Sequence, residues 1–298
     1  MLRSDEVDDV IDSVIHPETR LGYVHLTVSD LERALAFYQL SLGFQVHRRE
    51  AGTAYLGAGR EDLLALTERP GAIRVPHRSG LYHFAILVPS RLALARSLAN
   101  LIETETKLEG GSDHLVSEAL YLADPDGNGI EIYRDRPRSA WEYAHGVLRM
   151  GVDPLDYRAI LAESQNDPQP WSGLHPDTVL GHMHLHVAHI PEAEAFYTQV
   201  LGFGLVLRYH GAASFFSAGG YHHHLGVNTW NGVGVPPPPP DAVGLRYFVV
   251  QLPDDEEQAR LIARLEAANV AYELREDGLW ARDPSQNGIL FAVGDRKG

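Results

Sequence analysis

Residues 21–44, LGYVHLTVSDLERALAFYQLSLGF, lie over residues 180–203, LGHMHLHVAHIPEAEAFYTQVLGF, at a constant offset of 159 and without a gap. Twelve of the 24 positions are identical, among them His25/His184, Phe37/Phe196, Tyr38/Tyr197 and the closing Leu-Gly-Phe. Such a match at a fixed period marks an internal repeat. A second pair follows the same order: GLYHFAILVP at 80–89 resembles GLRYFVVQLP at 244–253, and DPDGNGIEIY at 124–133 resembles DPSQNGILFA at 283–292. The chain therefore divides into an N-terminal extension (1–20), modules at 21–70 and 80–134, a connector at 135–179, and modules at 180–232 and 244–294.

Every module opens on a period-two strand, continues in an amphipathic helix such as Asp30–Leu40 or Pro191–Val200, and closes with three short strands between Gly-rich turns. The unit is β-α-β-β-β, and the fold class is α+β. In the first strand Val24, Leu26 and Val28 share one face, as do Met183, Leu185 and Val187 in the third module, and these faces pack on the helices. The opposite faces carry Tyr23, His25 and Thr27, or His182, His184 and His186. About 50 residues cannot cover both sides of a sheet, so the modules must pair. The connector contains a strand-like VLRMGV and a short helix after Pro154. Pro236–Pro240 reads as a rigid surface spacer.

Composition narrows the function. The 298 residues carry 25 Lys+Arg against 40 Asp+Glu, a net charge of −15, which opposes binding to a phosphate backbone. No apolar run approaches the length that crosses a bilayer. The first residues, MLRSDEVDDVIDSVI, are acidic and lack the order of a signal peptide, so a cytoplasmic location is expected, with no nucleic-acid or membrane partner. With zero cysteines, disulfides and thiolate chemistry are excluded. Histidine is concentrated instead: nine of the 16 fall between His175 and His224. No phosphate-binding glycine loop or Gly-x-Ser-x-Gly elbow sits in a suitable setting.

Equivalent positions in the four modules direct attention to a metal. The first-strand position is Tyr23, His83, His182 and Tyr247 in turn, and the last-strand position is Glu131 in module two but Leu290 in module four. A single inward histidine is ordinarily a hydrogen-bonded one, and Glu131 alone would be a solvated charge. Together His83, His182 and Glu131 form two imidazoles and one carboxylate, a set suited to non-haem Fe(II), with Mn(II) also compatible. Modules two and three should then share one cup, and modules one and four the other. His184 and His186 share the face of His182, but His25 matches His184 in a module without ligands. His222, His223 and His224 read as part of the last strand of module three. Tyr121 and His114 lie on the approach to Glu131.

The repeat, the FY…LGF helix ends, HFAILVP, SEALYLADPDGNGIEIY and GGYHHHLGVNTW resemble the vicinal oxygen chelate superfamily (glyoxalases, bleomycin resistance proteins and extradiol dioxygenases). Within it, the likeness is to the branch of Bacillus-type catechol 2,3-dioxygenases, from about residue 20 to 294. The resemblance implies cup-like half-barrel domains, His182, His83 and Glu131 as iron ligands, and His223 as the acid–base group. Strand parity would instead turn His222 and His224 inward, which leaves the choice among the three open. It further implies that Tyr121 touches substrate and that His114, His184 and His224 border it. The expected activity is extradiol cleavage of a catechol-type aromatic by dioxygen, an oxidoreductase step in aromatic hydrocarbon catabolism, in a monomer or homo-oligomer. The alternatives are a glyoxalase-type isomerase or lyase, and a binder of aromatic ligands without turnover. One departure stands out: in the better-known four-module extradiol enzymes the metal lies between modules three and four, where this chain has Tyr247 and Leu290.

Overall fold

The computed structural model describes residues 14–165, 167 and 169–294. Most of the acidic N-terminal extension, 1–13, lies outside the described residues. Two large sheets carry the fold. The eight-stranded sheet runs, edge to edge, Tyr272–Arg275, Gly278–Arg282, Gly288–Val293, Gly244–Leu252, Arg20–Val28, Asp62–Glu68, Thr53–Gly57 and Gln45–Glu50. The nine-stranded sheet runs Asp153–Pro154, Leu108–Asp113, Ser117–Ala123, Gly129–Asp135, Gly80–Leu87, Val179–His186, Leu225–Asn228, Ala213–Ser217 and Gly204–Tyr209. The first sheet thus joins modules four and one, and the second joins modules two and three. In each, the opening strands of two modules meet antiparallel at the centre.

The helices follow from their caps and apolar stripes. Asp30 accepts the Arg33 N–H at 2.9 Å and starts Leu31–Leu40. Ser90 does the same for Arg91–Glu103, and Asp254 for Asp255–Ala267. The third helix differs from the expected Pro191–Val200. Helix Ile190–Ala195 gives way to a wider π turn over Phe196–Val200, which buries both Phe196 and Tyr197. Val24, Leu26, Val28, Met183, Leu185 and Val187 are all fully buried in one continuous core between sheets and helices.

The repeated motifs cross-link the modules. Asp124 accepts the backbone N–H groups of Asp126 and Asn128 through one oxygen, and the Tyr38 hydroxyl at 3.0 Å through the other. Asp283 does the same with Ser285, Asn287 and Tyr197, again at 3.0 Å for the tyrosine. In each half a helix tyrosine of one module is therefore tied to the DP…NG turn of the next. These residues repeat because they fasten the fold.

The connector is more than a spacer. Only Val147–Leu148 of the expected strand VLRMGV pairs, as a hairpin with Tyr143–Ala144. Asp153–Pro154 extends the nine-stranded sheet, and helix Tyr157–Gln165 packs on Arg91–Glu103. No helix among the described residues is long and apolar enough to cross a membrane.

Candidate metal centre

Register brings the candidate ligands together. Across the nine-stranded sheet, Tyr121 stands opposite Glu131, Glu131 opposite Ala85, and Ala85 opposite His182. Residues in one such row share a face. Glu131 and His182 are two strands apart, roughly 10 Å at the backbone, and the small Ala85 between them lets both side chains lean inward. His83, two residues before Ala85, points to the same side.

Glu131 Oε2 lies 3.1 Å from His83 Nε2 and 3.1 Å from His182 Nε2, and the two nitrogens are 3.4 Å apart. All three residues are buried. Ligands bound at about 2.1 Å stand about 3.0 Å apart at a right angle and about 3.4 Å apart at the tetrahedral angle. The edges of the triangle, 3.1, 3.1 and 3.4 Å, lie between these two values, so the donors are spaced to fit a divalent cation. Their protonation fits as well. Burial acts to raise the Glu131 carboxyl, but the adjacent imidazoles hold it well below the usual carboxylate range. Burial lowers His182 to about 4 despite the pull of Glu131. An ionised carboxylate beside neutral imidazole is the form that binds metal. His182 Nδ1 is buried without a partner, so its outer nitrogen lacks the usual orienting acceptor.

A cavity of about 590 Å³ opens over the triad. His184 lines it, its ring centroid 5.0 Å from that of His83, with Nε2 buried and unpartnered. Burial, and then the neighbouring His83 and His182, keep the His184 ring neutral by pushing it well below the ordinary histidine range. His114 and Tyr121 form one unit. His114 Nδ1 lies 2.6 Å from the Gly151 carbonyl and must donate to it, so its Nε2 accepts from the Tyr121 hydroxyl at 2.6 Å. Burial, reinforced by Glu131, raises the Tyr121 phenol well above its usual range and keeps it protonated.

The histidine triplet is not on a strand. The last strand of the module is Leu225–Asn228, and residues 222–224 form the irregular segment that enters it after the turn at 219–220. Alternation therefore does not govern the triplet. His223 lines the cavity, its ring centroid 4.1 Å from that of His182. His222 is fully buried behind it against Asp135. His224 does not reach this cavity, contrary to the sequence expectation. Its Nδ1 accepts the Ala218 N–H at 3.1 Å, and it borders a separate 280 Å³ cleft with Tyr221. His186 likewise does not line the triad cavity: its ring lies behind Tyr82, with centroids 5.2 Å apart, and its Nδ1 is 2.7 Å from Asn228 Oδ1.

Sequence reasoning missed the walls. Tyr82, Phe215 and Trp230 form an aromatic side, and Met150 and Val152 of the connector close another. Trp230 is half-exposed at the rim although large and apolar, the one signal of a binding role it offered.

Comparison with known proteins agrees with this architecture. The chain is 47% identical over 284 residues to the catechol-2,3-dioxygenase of Bacillus subtilis (strain 168), covering 94% of this chain and 99% of that protein. It is 26% identical over 170 residues to a biphenyl-2,3-diol 1,2-dioxygenase of Rhodococcus globerulus, covering 51% of this chain and 90% of the other. Among solved structures, a Bacillus subtilis protein superposes with a TM-score of 0.63 at 13% identity, covering 96% of this chain and 87% of that one. Glyoxalase I from Zea mays superposes with 0.57 at 15% identity, covering 93% and 92%. These structural likenesses are likenesses of fold. Residues 20–132 and 179–289 match the family itself, and the chain belongs to the Glyoxalase/Bleomycin resistance protein/Dioxygenase superfamily.

Proposed function

We propose that the protein is an extradiol dioxygenase that opens catechol-type aromatic rings, using Fe(II) held by His83, His182 and Glu131. The observation that carries this is the buried triangle of two imidazole nitrogens and one carboxylate oxygen, with 3.1–3.4 Å edges, at the floor of an aromatic cavity. The 47% identity to a catechol-2,3-dioxygenase over nearly the whole chain supports the same reading. Among the described residues no second carboxylate joins the donors, which favours it over a glyoxalase-type isomerase. When bound, the metal supplies Lewis acidity toward two vicinal oxygens and redox chemistry toward dioxygen.

The chain's own residues do the rest. Tyr82, Phe215 and Trp230 present ring faces and edges to a flat aromatic and exclude water from it. His223 is the residue placed to move a proton. Burial, and after it the nearby His182 and His222, push its ring well below the ordinary histidine range, so it meets the substrate neutral. Tyr121, whose proton is donated to His114, turns oxygen lone pairs to the cavity and can accept a substrate hydroxyl. A nearly uncharged pocket around one ionised carboxylate suits a neutral diol that loses its protons only after docking.

The test is direct. Iron-loaded protein, mixed anaerobically with catechol and then exposed to dioxygen, should form the yellow ring-opened semialdehyde. Formation of a muconic acid, or no product from any simple catechol, would overturn the proposal.

A further inference from the structure

Behind the cavity a chain of hydrogen bonds converges on one carboxylate. His223 Nδ1 lies 2.8 Å from His222 Nδ1, and His222 Nε2 lies 2.8 Å from Asp135 Oδ1. The Tyr221 hydroxyl donates to Asp135 Oδ2 at 2.9 Å, and the Tyr133 hydroxyl lies 2.7 Å from that of Tyr221.

An ionised carboxylate only accepts. His222 therefore donates to it from Nε2. The 2.8 Å contact between the two Nδ1 atoms needs one donor and one bare nitrogen, and with the His222 ring proton held on Nε2 by Asp135 the donor is His223 Nδ1. The remaining nitrogen of His223, Nε2, is left with a lone pair. His223 lines the cavity, and its Nε2 has no hydrogen-bond partner among the described residues.

We propose that Asp135 is a positioning residue that acts through His222 to hold the His223 proton on Nδ1 and leave a bare Nε2 toward the cavity, so that His223 meets a bound diol as a base. The chain is built into the fold. His222 is fully buried against Trp141 and Tyr133, with ring centroids at 5.6 and 6.0 Å. A Cβ at Gly181, on the strand that carries His182, would lie 1.8 Å from the Tyr133 hydroxyl, so that strand is shaped to admit it.

The proton step balances within this chain. The diol O–H bond breaks, its electron pair stays on oxygen, and the proton bonds to His223 Nε2. The imidazolium still donates from Nδ1 to His222, so no hydrogen bond behind it has to be remade. The new Nε2–H faces the cavity and is the proton to be returned later. The chemistry rests on the dioxygenase reading, whereas the proton placement does not.

Side-chain ¹⁵N spectra of the zinc-loaded protein at neutral pH separate protonated from bare ring nitrogens. The wild type should have His223 protonated on Nδ1 and bare on Nε2. In Asp135→Asn the amide oxygen would take the Tyr221 proton and the amide nitrogen would face His222, exchanging the tautomers of both histidines. The iron enzyme carrying Asp135→Asn should then lose about 10–100-fold in kcat, with KM and iron content little changed and partial rescue in Asp135→Glu. A wild-type His223 bare on Nδ1, or wild-type kcat in Asp135→Asn, would overturn the inference. Should that variant fail to fold, the wild-type spectrum still decides. The stated tautomers in a protein that cleaves no catechol would support this inference while removing the dioxygenase reading.

Discussion

The two sheets are built from the same module, yet one encloses a cavity and the other is filled. In the nine-stranded sheet the inward row is Tyr121, Glu131, Ala85 and His182. In the eight-stranded sheet Trp280, Leu290 and Val249 stand in the corresponding row, and Tyr23 and Tyr247 replace His182 and His83. Polar tips meet at the centre of both. The Tyr23 and Tyr247 hydroxyls are 3.1 Å apart, within hydrogen-bonding distance, while Trp280, Leu290 and Val249 pack as an apolar cluster beneath them. One hydroxyl donates to the other, and neither carries a charge that calls for a counter-ion. A buried carboxylate is costly without a positive charge beside it, and the triad is spaced to hold a cation. One sheet meets at a tyrosine pair over an apolar cluster, and the other at a triad of ligand-type residues beneath a cavity.

The sharpest way to break the contrast is to give the open sheet the residue of the filled one. Glu131→Leu should abolish stoichiometric metal binding and reduce turnover below detection, by metal analysis and oxygen uptake. Its metal-free melting temperature should equal or exceed that of the wild type, because a buried charge is replaced by an apolar group of similar size. Retained metal would refute the assignment of Glu131. The next effect in size separates holding a metal from moving a proton. His223→Phe should keep the metal and slow kcat by about 10²–10⁴-fold.

Ala85→Val copies the gap-filling residue Val249. The added bulk between Glu131 and His182 should weaken metal affinity by about tenfold and cost about 1–3 kcal/mol of stability, read by chelator competition and denaturant unfolding. Unchanged affinity would show that the small residue is not what lets the ligands lean together.

The smallest effect belongs to the filled sheet. Burial, with a contribution from Arg246, lowers His25 to about 3, below the ordinary histidine value of 6.5. On acidification the unfolded chain takes up that proton first. The stability it contributes is complete above about pH 6.5 and is lost as pH falls toward 3. His25→Gln should leave turnover unchanged and flatten the acid limb of stability by up to about 1.4 kcal/mol per pH unit, measured by urea titration between pH 4 and 6. A loss of activity would mean the two sheets are not independent.

Much of this was legible in the sequence. The 159-residue offset marked the repeat, alternation placed Val24, Leu26 and Val28 in the core, and equivalent positions singled out His83, Glu131 and His182. Such features are local: a strand's period assigns each side chain to a face wherever the strand ends up. The tertiary structure decided what periodicity does not carry. The row that places Ala85 between Glu131 and His182 depends on strands from two modules. The apolar wall of Met150 and Val152 comes from a connector whose sequence has no repeat to be read against. His223 faces the cavity and His224 does not because the triplet lies in an irregular segment before the strand, where alternation has no force. Asp135 joins His222 only through a contact spanning 87 residues. A sequence specifies which face each residue takes along its own strand, whereas the meeting of faces from distant strands is settled only when the chain packs.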